Sequence, residues 1–457
     1  MESARIIAGL AGLVRDVGLA EELAQDALVA ALDQWPSAGI PPNPGGWLML
    51  TAKHRAIDRI RRNERLAAKL GQIGRDLEAE QLTEPADFAA VLDETVLAEE
   101  GISDDLLRLM FISCHPVLSA EARIALTLRL LGGLTTDEIA RGFLAAEPTI
   151  AKRIVRAKQT LSSRNIPFEV PPPADRPARL ASVLEVLYLI FNEGYSAMAG
   201  QDWMRPALCT EALRLGRVLA GLMPAEAEVH GLVALMELQA SRFHARLDGD
   251  GLPVPLLDQN RGRWDQLLIR RGFTALLRAE KLGVHQPGPY LLQAAIAACH
   301  ARAHAPADTD WGQIAALYQA LTALTPSPVV ELNRAVAVAM TAGPAEALGI
   351  IDTLAAEPAL ATYHHLPSVR GDLLARLGRY REAGSEFRRA AALTRNLPER
   401  TVLLRRAADC AARTLPVHPG AAGHHGGQLE VPVEHDKVGS RARNERPRPG
   451  QADHPGR

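Results

Sequence analysis

Three features of the sequence point to an all-α architecture. Apolar residues occupy 47% of the 457 positions but aromatic ones only 4%, so the cores must be built largely through Leu and Ala side chains. Apolar positions recur at helical spacing, as in Ile124, Leu128 and Leu131, or in Ile150, Ile154, Ala157 and Leu161. Alternating Val/Ile/Thr-rich runs, the mark of half-buried strands, are few. A chain of this length accommodates about three domains.

The first apolar stretch, IIAGLAGLV, follows Glu2 and Arg5 and is cut short by Arg15 and Asp16. It reads as one face of an amphipathic helix and not as a leader peptide. No uninterrupted apolar run approaches the roughly 18 residues of a membrane span. Cys114, Cys209, Cys299 and Cys410 are scattered without a CxxC pair, so neither a zinc site nor a disulfide framework is signalled. A cytoplasmic protein without a membrane partner is expected.

The next helix, GLAEELAQDALVAALDQW, carries Glu21, Glu22 and Asp26 on its polar side. WPSAGIPPNPGG, rich in proline and glycine, reads as a loop that cannot be helical. Helical periodicity resumes in WLMLTAKHRAIDRIRRNERLAAK, with Trp47, Leu50, Ile57 and Ile60 inward and the cations mostly outward. Net charge is −2 overall, yet Lys53–Lys69 carries +5 and Arg141–Arg164 another +5. Between them, residues 76–105 hold eleven carboxylates and no Lys or Arg. Helices with cations on one side suit phosphate backbones, whereas the acidic stretch has few apolar anchors and reads as a linker.

The second basic segment is a helix-turn-helix. SAEARIALTLRLLGG (119–133) ends at Gly132-Gly133, a C-terminal stop. Thr135 and Glu138 form a T-x-x-E capping box that opens a helix over 136–144, and Pro148 suits the first turn of the following one. That helix buries Ile150, Ile154, Ala157 and Leu161. Thr149, Lys152, Arg153 and Arg156 are left outward near its N-terminal half, where a recognition helix meets base edges and phosphates.

Taken together, GLAEELAQDALVAALDQW with NPGGWLMLTAKHRAIDRIRR resembles conserved region 2 of the extracytoplasmic-function (ECF) sigma factors. LTTDEIARGFLAAEPTIAKRIVRAKQTL resembles their region 4, and the two stand in the family's order with an acidic linker between them. The resemblance implies region 2 over 1–66, the linker over 67–103 and region 4 over 104–166. It implies that Glu21, Glu22 and Asp26 dock on the β′ clamp of the RNA polymerase core, with the β flap as a second core contact. Lys53, Arg55, Arg59, Arg61 and Arg62 would hold the opening strands of the minus-ten promoter element in a cationic groove. Thr149, Lys152, Arg153, Arg156 and Lys158 would read the minus-thirty-five element, and the linker would thread the basic channel later taken by nascent RNA. In one respect the chain departs from the family: only about ten residues precede LAGLVRD, where a fuller first helix is usual, so a clipped helix or a misassigned start is expected.

Prolines over 167–177 mark the next boundary. VLEVLYLIFNEGYSA reads as a helix ending at Gly194 with Tyr188, Phe191 and Tyr195 as core aromatics. YLIFNEGYSA and PGPYLLQAAIAACHA resemble the long extension of one ECF subgroup, divided here into helical residues 177–305 and tetratricopeptide-like repeats over 306–412. Gly378, Tyr380, Ala383, Phe387 and Ala390 fit that repeat, and Gly343 precedes Gly378 by 35 residues in a looser copy. Such a surface would suit a regulatory protein or peptide. Residues 416–457 are Gly-, Pro- and His-rich and are expected to be disordered.

An enzyme is not expected. GxxxxGK[ST], HExxH and GxSxG do not occur. His300 and His304 lack a third ligand, His424-His425 read as surface tail, and Cys114 reads as a buried thiol. No catalytic residue, cofactor or metal is assigned. The alternative reading is a stand-alone helix-turn-helix regulator fused to a helical-repeat scaffold; it leaves the first basic helix and the acidic linker without a role.

Overall fold

The computed structural model describes residues 2–74, 99–143, 145–196, 199–200, 203–283 and 286–414. Eighteen α-helices account for nearly all regular structure among them. The first three are α1 (Glu2–Val14), α2 (Val17–Ala38) and α3 (Pro44–Gly74). Asp16 caps α2, its Oδ1 accepting from Leu19 N at 2.8 Å. The buried face of α2 is largely alanine (Ala20, Ala24, Ala27, Ala31), which lets α1 and α3 approach closely.

Here the structure corrects the sequence reading twice. The proline-rich loop shrinks to residues 39–43. Pro36 sits in the last turn of α2, closed by Gly39 N–H onto Trp35 O at 2.9 Å, and Pro44 starts α3, where an N–H is not needed. Trp35 and Trp47 meet edge-on at 5.5 Å across the turn. The inward face of α3 is Leu48, Met49, Ala52 and Ala56, while Leu50 is 49% exposed and Trp47, Ile57 and Ile60 are half-buried. Leu50 lies about 200° around the helix from Ala52, so the close packing of Ala52 and Ala56 turns it outward.

The second group is α4 (Glu99–Ser113), α5 (Ala120–Leu130), α6 (Thr136–Gly142) and α7 (Glu147–Ser163). The capping box forms as read: Thr135 Oγ1 accepts from Glu138 N at 3.2 Å, and Glu138 Oε2 accepts from Thr135 N at 2.7 Å. Helix α6 stops at Gly142, short of the expected 144. Helix α7 buries Ile150, Ile154, Ala157 and Leu161. Helices α3 and α4 take in both ends of the proposed linker, 67–74 and 99–103; its middle and the proposed tail lie outside the described residues.

The extension comprises α8 (Arg176–Tyr195), α9 (Pro206–Leu222), α10 (Ala227–Ala240), α11 (Gln266–Leu282), α12 (Pro289–Arg302), α13 (Trp311–Leu324), α14 (Pro328–Thr341), α15 (Pro344–Leu354), α16 (His365–Arg376), α17 (Tyr380–Leu393) and α18 (Leu397–Thr414). Tyr188, Phe191 and Tyr195 are buried, as read. Helices α14–α15 and α16–α17 are hairpins at the positions of the two repeat copies, turned by Gly343 (φ +100°) and Gly378 (φ +76°). A parallel pair of two-residue strands, β1 (Ala199–Gly200) and β2 (Arg395–Asn396), joins the first part of the extension to its last. One continuous apolar core runs from α1 through α7 into α8–α12, and a second lies within α14–α18.

Candidate nucleic-acid and polymerase interface

The two basic helices present their cations unequally. On α3, Arg59, Arg61 and Arg62 are exposed, and Lys53 and Arg55 are half-buried. On α7, Thr149, Lys152 and Arg156 are exposed, and Arg153 is half-buried. These side chains stand on long, well-packed helices, which suits backbone contacts that must keep register on a duplex.

Lys158 has a different setting. Its ammonium is paired with Glu21 Oε2, and Arg129 Nε of α5 donates to Glu21 Oε1 at 2.6 Å. Glu21 is only 4% exposed, a carboxylate buried where α2 meets α5 and α7. Of the three acids proposed to face the polymerase, the structure leaves Glu22 and Asp26 exposed and turns Glu21 inward. The sequence alone puts Glu21 on the polar side, because one helix cannot reveal that Arg129, 108 residues downstream, and the still more distant Lys158 pair with it. Beside this contact is a cleft of about 590 Å³, lined by Arg15, Asp16, Arg108, Lys158, Phe168 and Glu169 among others.

Three arginines of the extension, none singled out from the sequence, hold the C-terminal ends of three helices. Arg179 donates to Phe111 O of α4 at 2.8 Å, Arg214 to Leu131 O after α5 at 2.7 Å, and Arg205 to Gly142 O of α6 at 3.0 Å. The last carbonyls of a helix lack intrahelical donors and carry partial negative charge, so a guanidinium there is favourable twice over. Arg123 of α5 reaches the other way, to Ser182 Oγ at 2.5 Å and Glu185 Oε2 at 2.9 Å on α8. The helix-turn-helix unit is thereby gripped from outside.

The remaining reactive groups are quiet. Burial pushes the Cys114 thiol up to about 11, and Cys114 Sγ lies 3.3 Å from Thr127 Oγ1, so this thiol is no nucleophile. Burial also lowers His115 to about 4. His300 packs edge-on against Trp311 at 5.2 Å. His364, His365 and Glu399 bring ligand atoms within 4.8 Å of one another, a set the sequence hid by separating it over 35 residues. Glu399 is hydrogen-bonded to His364 Nε2 at 2.8 Å and accepts from Thr394 Oγ1 at 2.6 Å. No helix among the described residues is long and apolar enough to cross a membrane.

Comparison with known proteins agrees with this geometry. Residues 3–66 match the family model of sigma-70 region 2, and residues 108–161 that of sigma-70 region 4. Residues 179–280 match a family of unknown function, DUF6596. The uncharacterized protein R00370 of Rhizobium meliloti (strain 1021) is 45% identical over 390 residues, covering 84% of this chain and 88% of that protein. The ECF RNA polymerase sigma factors SigK of Mycobacterium sp. (strain KMS) and (strain JLS) are each 29% identical over 154 residues, 33% of this chain and 72% of theirs. The SigK likeness thus covers only a third of the chain, whereas the likeness to R00370 takes in the extension as well. With both sigma-70 regions in order and helical, the chain belongs to the ECF-type sigma-70 factors, which direct transcription initiation, in a form that carries a long C-terminal extension.

Proposed function

We propose that this sigma factor is held closed by its own extension and opens when it engages RNA polymerase core and promoter DNA in the cytoplasm. Glu22 and Asp26 dock on the β′ clamp, Lys53, Arg55, Arg59, Arg61 and Arg62 hold the minus-ten strands, and Thr149, Lys152, Arg153 and Arg156 read the minus-thirty-five element. The observation that carries the reading is the double contact of Glu21 with Arg129 and Lys158. Elements about 25 base pairs apart lie on the order of 85 Å apart along B-DNA. Two regions packed into one core cannot span that distance, so Glu21 must release both cations before both helices reach their elements. Release would also free Glu21 for the polymerase and Lys158 for DNA.

The extension opposes this step through Arg179, Arg205 and Arg214, which hold region 4 against α8 and α9. The repeat-like hairpins α14–α17 are the proposed seat of a regulatory protein or peptide. Run-off transcription with purified core on the chain's own upstream region tests the reading. New transcripts are expected, fewer from the wild type than from Arg205→Gln or Arg214→Gln, together with a longer distance between spin labels at the exposed positions 58 and 159 in the promoter complex. Absence of core binding would favour a stand-alone regulator, and an unchanged label distance would discard the closed state.

A further inference from the structure

The extension sets three guanidinium groups in a single file, two of them buried and the third half-buried. Between α10 and α11 the chain runs through short 3-10 turns that bring Arg242, Arg246, Arg261 and Trp264 around Tyr195, the last residue of α8. The guanidinium carbon of Arg246 lies 4.2 Å from the Trp203 ring centroid and 3.4 Å from that of Tyr195. Arg242 lies 5.7 Å from Tyr195 and 5.9 Å from Trp264, and Arg261 lies 4.9 Å from Trp264. Cation and ring therefore alternate from Trp203 to Arg261. The middle of the file is buried, with Arg242 4% exposed, and both ends are half-exposed.

Two of the three cations, Arg242 and Arg261, have no carboxylate ion-paired with them among the described residues. Arg242 donates to the Tyr195 hydroxyl at 2.5 Å, its Nε has no acceptor, and no carboxylate among the described residues pairs with it. Arg261 donates to the carbonyls of His300 and Ala303 and to Thr309 Oγ1 at 3.2 Å, and its Nε also has no acceptor. Burial lowers the pKa of both guanidiniums, and the charge of Arg242 lowers that of Arg261 further, against a weaker opposing pull from exposed Asp308. Nearby Asp265 is committed to capping α11 through Leu267 N and Leu268 N. Three half-buried arginines elsewhere in the extension are given acids: Arg205 has Glu193, Arg334 has Glu331 and Arg406 has Asp372. A buried cation without a counter-charge is costly, and ring faces satisfy the charge without satisfying the N–H donors at its edge. The guanidinium fork is matched by the oxygens of a carboxylate or phosphate.

We propose that this arginine–aromatic file is a binding site for a small molecule bearing a phosphate or carboxylate group, its oxyanion accepting from Arg242 and Arg261. The site lies at the end of α8, the helix that also carries Ser182 and Glu185, the partners of Arg123 in region 4. The proposal does not depend on the closed-state reading, because its test reads binding and not transcription.

Isothermal titration calorimetry and thermal unfolding of the full chain, at constant ionic strength, with inorganic phosphate and separately with succinate, provide that test. Saturable binding with a rise in melting temperature is expected for at least one probe, the tighter one naming the oxyanion. Arg242→Met is expected to weaken binding at least tenfold and, in anion-free buffer, to melt no lower than wild type, since it removes an unpaired buried charge. Arg261→Gln, at the half-exposed end, serves as a second variant with the same expected loss, and exposed Arg263→Gln should bind as wild type does. Absence of saturable binding by both probes would overturn the site, as would equal binding by Arg261→Gln or a lowered melting temperature for Arg242→Met with no anion effect on the wild type.

Discussion

Arg129 Nε donates to Glu21 Oε1 across 2.6 Å, and this contact joins the region 4 helix α5 to the region 2 helix α2. Lys158 of α7 takes the other oxygen, so one buried carboxylate serves two cations. Removing one partner of a buried pair leaves the other charge stranded, at a cost of about 3 kcal/mol. Glu21→Gln should therefore unfold at lower urea, and the double variant with Arg129→Met should recover much of the loss. A double-mutant cycle measures the coupling.

DNA contacts at α7 carry a second prediction. Arg153→Ala and Arg156→Ala should each weaken binding to promoter duplex and each reduce the slope of log affinity against log salt by about 1. Fluorescence anisotropy over roughly 50 to 200 mM salt checks this. An unchanged slope for Arg156→Ala would place that residue off the backbone.

Where α8 crosses α9, a third prediction concerns Gly194. A Cβ there would lie 2.7 Å from Cys209 N and Sγ and 2.8 Å from Arg205 O. Two of these atoms are backbone and cannot rotate away. Gly194→Ala should cost about 2 kcal/mol, read as a lowered urea midpoint with an unchanged slope.

Glu399 makes stability depend on acid. Burial raises its pKa, but the His364 hydrogen bond, the charges of His365 and His364 and the Thr394 hydroxyl outweigh that and bring it from 4.5 to about 2. A folded pKa below the unfolded one contributes stability that is present above the unfolded value and lost as pH falls through the folded one. Thermal melts should weaken from about pH 4.5 toward pH 2, and Glu399→Gln should flatten that limb. A limb of unchanged steepness would remove Glu399 as its source.

Much of the local geometry of α6 and α7 was legible in the sequence. The spacing Ile150, Ile154, Ala157, Leu161 defined the buried side of α7, and Thr135 with Glu138 defined the start of α6, because both are contacts within a few residues of chain. The inward face of α3 was misread at Leu50, since large apolar residues draw attention while Ala52 and Ala56, being small, make the closest contact. Gly343 and Gly378, singled out by their 35-residue spacing, both take positive φ between consecutive helices.

Local pattern thus determined the helical class, the order of the two basic helices and which residues of α7 face outward, because propensity, capping and 3.6-residue periodicity act over short distances. Tertiary structure decided the rest. Glu21 became a buried clasp only when Arg129 and Lys158 arrived from far along the chain, and Arg179, Arg205 and Arg214 found the ends of other helices. Arg242 and Arg261 came to lie beside one indole, with no carboxylate ion-paired to either among the described residues. The charge of a side chain is written in the sequence, but its partner and its solvent are set by packing, and those determine what the charge does.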